Sequence, residues 1–319
     1  MISMPPLSSA EEEEEFATTL ETQLQTPSLV AVMVSAAVST ARARVDDPGS
    51  SGSSTHSQQL SYMQSALDRF FTARIGLRFL MEHYLLSATQ QADDWSGIIQ
   101  SNFDPSVVIR EAAEDAAQLC EDEFGLAPEV IVHMAGEEDA PSEIRNGRLT
   151  YVPSHMHYIC SELLKNAMRA TTMRHLHGSY IPPIVVTASF GKDNLGVRIS
   201  DEGGGIPLSA VSHVFRYSYT TAPVPLIEVD DTLDGVFPPQ MLRRSALAGY
   251  GMGLPLSRLY AQYLGGQLTM RSLEGHGTDC TLRSQASHAH LVPALLTCSR
   301  HVIPARQVFC TCLGLMRRA

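Results

Sequence analysis

The spacing of hydrophobic residues changes at Gly125, and this change restricts the fold more than any other feature of the chain. From Leu60 to Leu86 the residues Leu60, Met63, Leu67, Phe70, Phe71, Ile75, Leu77, Leu80 and Tyr84 recur three and four apart, the spacing of one long amphipathic helix. Asp104-Pro105 then supplies an N-cap and a first helical residue ahead of Val108, Ala112, Leu119 and Phe124. With Gly125 as a stop, a further helix of about five turns is expected. Glu11 to Arg44 is helix-permissive, and the Gly/Ser-rich run at 46–57 reads as a flexible connection. The first 125 residues are therefore expected to form a helical bundle.

After Gly125 the runs Glu129 to His133 and Leu149 to Val152 read as short strands, and Pro153-Ser154 precedes a helix over roughly 155–175. Ile184 to Phe190 and Leu195 to Ser200 are β-branched runs separated by GKDN, a hairpin signal. A helix from Leu254 to Leu264 stops at Gly265-Gly266, and strands Gln267 to Ser272 and Thr278 to Arg283 flank the turn LEGHG. The expected class is α+β: an N-terminal helical bundle (1–125) followed by an α/β sandwich with a mixed sheet (126–285). Residues 286–319 form an atypical tail, with disorder as one reading.

Charge follows the same division. Residues 1–150 hold 24 acids and 8 bases, whereas 151–319 hold 10 acids and 15 bases. A solvated surface is the plain explanation, and a second domain that handles an anionic ligand is the functional one. The overall charge of -11 argues against general nucleic-acid binding. The longest apolar run, Leu29 to Val38, is about half the ~20 residues of a membrane span, so a soluble chain is expected. The opening MISMPPLSSAEEEEE is acidic and lacks Arg, which fits neither a transit peptide nor a secretory leader. Six scattered cysteines point to a reducing compartment.

Three local patterns carry chemistry. In SELLKNAMRAT, Glu162, Asn166 and Arg169 stand at i, i+4 and i+7 on one helix face, while Ile159, Leu163 and Ala167 lie on faces that can be packed. The amide oxygen of Asn suits Mg²⁺, Glu can polarise a hydroxyl, and Arg can neutralise phosphate; a surface hydrogen-bonded row is the plain alternative. In SDEGGGIP, Asp201 ends a strand before Gly203, Gly204 and Gly205, where a carboxylate can accept from an exocyclic amine such as that of adenine. An ordinary glycine turn is the alternative there. Gly249, Gly251 and Gly253 form G-x-G-x-G directly before a helix, an anion site suited to phosphate but without the βαβ context of a dinucleotide fingerprint.

Glu162-x-x-Lys165-Asn166, Asp201-x-Gly203-x-Gly205 and Gly249-x-Gly251-x-Gly253 resemble, in order and spacing, the N, G1 and G2 boxes of the Bergerat-fold (GHKL) ATPases. YVPSH at 151–155, ELLKNAMRAT at 162–171, YSYTTAP at 217–223, GLPLSRLYAQYLGG at 253–266 and EGHGTD at 274–279 narrow the likeness. These segments, with the helix at 67–86, are similar to the mitochondrial 2-oxoacid dehydrogenase kinases, the group that includes the pyruvate and branched-chain dehydrogenase kinases. The resemblance implies transfer of the ATP γ-phosphate to a serine of the E1 α subunit, in the mitochondrial matrix, by a homodimer that docks on the lipoyl domain of E2. Pyruvate dehydrogenase is the favoured substrate and the branched-chain complex the alternative. The resemblance further implies Glu162 as general base, Asn166 as Mg²⁺ ligand, and Arg169 and Lys165 near the nucleotide. Asp201, with Gly203, Gly205 and Thr278, would read adenine. Thr220 and Thr221 would close on the nucleotide, and Gly249, Tyr250, Gly251, Met252, Gly253 and Leu254 would wrap its phosphates.

The chain also departs from that family. Tyr158 stands one turn before Glu162 where members have His, and His157 sits about 100° round the helix. The bundle reads as short of its first helices, and the tail after Arg283 has no acids, four Arg, three His and three Cys. Two rivals follow: a protein histidine kinase with His83 as acceptor, and a truncated nucleotide binder with little kinase activity.

Overall fold

Asp104 is extended (φ −103°, ψ 107°) and its carboxylate accepts the Ser106 N–H at 2.8 Å, so the cap expected from the sequence starts a helix at Pro105. Gly125 closes it in the left-handed region (φ 76°), its N–H donating to Glu121 O at 2.8 Å. The computed structural model describes residues 10–25, 53–89, 93–135, 149–190, 194–219 and 251–285. Within these, the helices are α1 (Ala10–Gln25), α2 (Ser53–Thr89), α3 (Pro105–Phe124), α4 (Pro153–His175), the single turn α5 (Leu208–Val211) and α6 (Gly253–Tyr263). The strands are β1 (Trp95–Ser96), β2 (Ile99–Gln100), β3 (Val130–Ala135), β4 (Ile184–Phe190), β5 (Asn194–Asp201), β6 (Gln267–Leu273) and β7 (Gly277–Gln285).

The five-stranded sheet runs β3-β4-β5-β7-β6, with β3 parallel to β4 and every other pair antiparallel. Ile184, Val186 and Ala188 of β4 turn inward, as do Leu195, Val197 and Ile199 of β5, the period of two that a sheet covered on one face requires. Helix α4 packs against both α3 and α6, and Ile159, Leu163, Leu164 and Met168 of α4 meet Ile109 and Ala112 of α3 and the inner sheet face in one core. The result is the expected α+β arrangement: a helical N-terminal region and a mixed-sheet α/β sandwich.

Three expectations change. The flexible stretch drawn to residue 57 ends earlier, because α2 begins at Ser53. From Ser53 to Ile75 there is no Gly or Pro, so each residue added to the helix gains a hydrogen bond without a breaker. Leu149–Val152 is not a strand: Tyr151 makes only a bridge to Gln100, and Pro153 starts α4 before a ladder can grow. The boundary at residue 125 divides a packed layer, since α3 shares the core of α4 and the sheet. By contrast α2 lies against α6, through Phe71, Ile75, Tyr217, Met252 and Leu259. Its other neighbour is α1, where Phe16 meets Tyr84 edge-on at 5.6 Å.

Residues 26–52 and 286–319 lie outside the described residues, as do Thr220, Thr221, Gly249 and Tyr250.

Candidate functional site

Helix α4 carries a row of functional side chains because its opposite side is committed to the core. Ile159, Leu163 and Ala167 are buried, which leaves Glu162 and Arg169 half-buried and Asn166 exposed. Lys165 forms an ion pair with Glu162, and both side chains are 17% exposed, so water screens this pair less than an ordinary surface pair. Lys165 is thus held at the Glu162 carboxylate instead of standing free in solvent.

The start of α6 meets Glu162 directly. A Cβ on Gly253 would meet the Glu162 carboxylate, so glycine lets this carboxylate rest against the helix N-terminus without being pushed aside. Met252 is buried against α2, and Leu254 packs on the main core. The side chains of these two expected site residues are thus engaged in packing. Gly251 O accepts the Ser218 N–H at 2.9 Å, joining the segments on either side of residues 220–250. Tyr217 adds a tie to the N-terminal region: its hydroxyl donates to Asp68 of α2 at 2.6 Å, and its ring stacks on Phe71 at 5.5 Å.

At the other end of α4, three neighbouring strands line up their polar ends. Asp201 of β5 is the register partner of Thr278 of β7, and Thr278 that of Ser272 of β6. The Asp201 Oδ1 accepts the Gly203 N–H at 2.8 Å and the Thr278 N–H at 3.3 Å. Both bonds fall on Oδ1, so Oδ2 remains an acceptor. Burial pushes the Asp201 carboxyl up to about 6, against the two backbone bonds that favour its charged form, with nearby Asp279 adding to the rise. Thr278 Oγ1 lies 3.0 Å from Ser272 Oγ, which accepts the Ile206 N–H at 2.7 Å. Gly203 lies against Ala170 of α4, which brings the turn after Asp201 onto this helix.

Along α4 the structure thus places Gly253 and Lys165 at Glu162, and Gly203, which bonds Asp201 Oδ1, at Ala170; Asn166 and Arg169 lie between these two contacts in the helix. Ser272 escaped the sequence reading, although the period-two burial of Leu268 and Met270 places it on the inner face of β6. Arg174 escaped as well, and its hydrogen-bond acceptor, Gly275 O, is 101 positions away in sequence. Tyr158 occupies the turn before Glu162; its ring is 4.7 Å from that of Tyr260, and burial, then the Glu162 charge, raise its hydroxyl well above the ordinary range. His157 points elsewhere: Nε2 is 3.2 Å from Asp115 of α3 and Nδ1 is 3.4 Å from Ser161 Oγ. Position 158 thus presents a phenol on the turn before Glu162, and the imidazole of His157 is directed to α3.

Helix α4 thus has one carboxylate, Glu162, beside the start of α6 and a second, Asp201, held by backbone N–H groups near its C-terminal end. Residues 151–288 match the family model of histidine kinase-, DNA gyrase B- and HSP90-like ATPases. Residues 1–100 match the model described as mitochondrial branched-chain alpha-ketoacid dehydrogenase kinase. The mitochondrial [pyruvate dehydrogenase (acetyl-transferring)] kinase isozyme 1 of Mus musculus is 38% identical over 243 residues, covering 75% of this chain and 52% of that protein. Isozyme 4 of Homo sapiens is 37% identical over 238 residues, covering 73% of this chain and 54% of that protein. The chain spans about half the length of the curated relatives it matches.

Proposed function

The chain belongs to the mitochondrial 2-oxoacid dehydrogenase kinase family of the GHKL ATPases, and from that premise we propose that it is an ATP-dependent protein-serine kinase of the pyruvate dehydrogenase complex. The observation that carries this reading is the placement of the Glu162 carboxylate against Gly253 at the start of α6, with Lys165 on its other side. A helix N-terminus there suits the phosphates of a nucleotide, and a carboxylate beside it suits the hydroxyl that attacks them.

In this reading Glu162 accepts the proton of an E1 α serine hydroxyl. The serine oxygen bonds to the γ-phosphorus, the bond to the β-phosphate oxygen breaks, and ADP leaves with that electron pair. Asp201 Oδ2 accepts a hydrogen bond from the adenine amine, with Thr278 beside it and Gly203 and Gly205 giving room for the ring. Lys165 and Arg169 neutralise phosphate charge, and the backbone of Gly249 to Leu254 cradles it, with Thr220 and Thr221 closing from the other side. Asn166, exposed on the same face, offers the amide oxygen that a hard cation takes; bound Mg²⁺ would offset charge on the phosphates. The homodimer, the E2 lipoyl domain as docking partner and the mitochondrial matrix belong to the same proposal, as does a domain division placed between α2 and β1.

A second reading, the branched-chain dehydrogenase kinase, is favoured by the family model matched at residues 1–100. The test is a radiolabelled-ATP assay that offers both dehydrogenase complexes. Label on E1 α of the pyruvate complex is the expected outcome. Label on the branched-chain complex alone selects the second reading, and tight ATP binding with no label on either identifies a nucleotide binder.

A further inference from the structure

Two turns meet at the C-terminal end of α4: residues 203–205 after β5, and residues 274–276 between β6 and β7. Backbone bonds join them in both directions, from Gly275 N–H to Gly204 O at 2.8 Å and from Gly204 N–H to His276 O at 3.1 Å. The Arg174 guanidinium lies against Gly204, and its Nη2 donates to Gly275 O at 2.8 Å. Gly204 has φ 95°, which favours glycine, and a Cβ there would displace that guanidinium. The neighbouring His175 Nε2 is 3.2 Å from Glu202 O, a second tie from α4 to the same turn.

We infer that Arg174 is a positioning residue that locks these turns and thereby sets the grip of the site on a nucleobase. The inference rests on the ATP-site reading above. The link to the base runs through Gly203, whose N–H holds Asp201 Oδ1 and so orients Oδ2. The planar fork of Arg, spanning from Gly204 to the carbonyl of Gly275, limits the motion that would misalign that carboxylate. Glu162, in the middle of α4 with the start of α6 beside it, lies about 18 Å back along the helix axis from Arg174, so the effect is confined to the base.

Calorimetry on the full chain tests this with three probes: ATP, adenosine and inorganic triphosphate. Arg174→Ala is expected to weaken ATP and adenosine by the same factor of about ten, the scale of one charge-assisted hydrogen bond, while triphosphate affinity stays within about twofold. Arg174→Lys keeps a donor and should recover most of the loss. Loosening the Gly203 bond should also move the pH midpoint of ATP binding upward in Arg174→Ala, a change that a role limited to stability would not produce. Unchanged adenosine affinity in that variant overturns the inference, as does an equal loss for triphosphate. A wild-type chain that binds none of the probes overturns the ATP-site reading as well, which distinguishes the two failures.

Discussion

Gly253 stands against the carboxylate of Glu162, so that the place of a Cβ on the one is taken by Oε2 of the other. The first residue of α6 is thus fitted to the middle of α4 through the Glu162 side chain. Gly253→Ala should push the carboxylate aside and lower kcat about 100-fold, since a displacement near 1 Å at a reacting group has that effect. Initial rates of phosphorylation beside a thermal melt check this. A normal rate with a normal melt would show that Glu162 need not sit at this contact.

Glu162→Gln removes the proton acceptor while keeping the side chain's shape. Phosphotransfer should fall by about 10²–10⁴-fold, the usual contribution of a positioned base, while ATP affinity stays within about threefold. Single-turnover labelling together with equilibrium binding separates the two. Unchanged labelling of E1 α would remove Glu162 from its assigned role.

Asn166 is exposed on the face of α4 that bears Glu162, and its amide is suited to a hard cation. Asn166→Ala should weaken nucleotide binding about tenfold in the presence of Mg²⁺ and leave metal-free binding unchanged. Calorimetry with and without Mg²⁺ reads the difference, and equal losses in both conditions would contradict the assignment.

Asp201 titrates near 6 because burial penalises its charge. The form that accepts from an adenine amine is the carboxylate, so ATP affinity should rise as pH passes upward through about 6 and level off above it. The stability sign is the opposite. A folded-state pKa raised above the ordinary value of 3.8 means that the native state binds more protons than the unfolded chain between these values, so stability conferred by the neutral group is lost as pH climbs through that window. Asp201→Asn should flatten both profiles, which ATP titrations and melts from pH 5 to 8 can record.

Two buried histidines set the acid limit of the joint between α2 and the sandwich. His83 of α2 and His155 of α4 both contact the Phe79 ring, and burial lowers them from 6.5 to about 4 and about 3. Their neutral forms are favoured in the fold, so stability is lost as pH falls from about 6.5 toward these values. The sole tryptophan, Trp95, lies two residues before Gly97, which touches His83, and so reports the joint by fluorescence. His83→Gln should shift the acid unfolding midpoint downward. An unshifted midpoint would place the acid sensitivity elsewhere.

Local signals were sufficient for much of this molecule. The Asp104-Pro105 cap, the Gly125 stop, the antiparallel pairing of β4 with β5 and the helix entered at Gly253 depend on residues close in sequence, where turn and cap chemistry acts. The row Glu162, Asn166 and Arg169 was legible for the same reason, because the helical period alone brings them to one side. The expected strand at Leu149–Val152 failed because a strand is defined by its partner, and the bonds to Gln100 and Phe103 form an isolated bridge without a ladder.

What the sequence by itself determined was the order of elements, the α+β class and the residue types available to a phosphate- and base-binding site. Tertiary structure alone decided the rest: that α3 joins the sandwich core, that Met252 and Leu254 turn inward, and that His157 is drawn to Asp115 and away from Glu162. It also brought Ser272, Thr278 and Asp201 into one line, and Arg174 onto a turn a hundred residues distant. The physical reason is range. Caps, turns and periodicity depend on the dihedral angles of neighbouring residues, whereas burial, strand registry and the environment of a charge depend on which surfaces meet after the chain has closed.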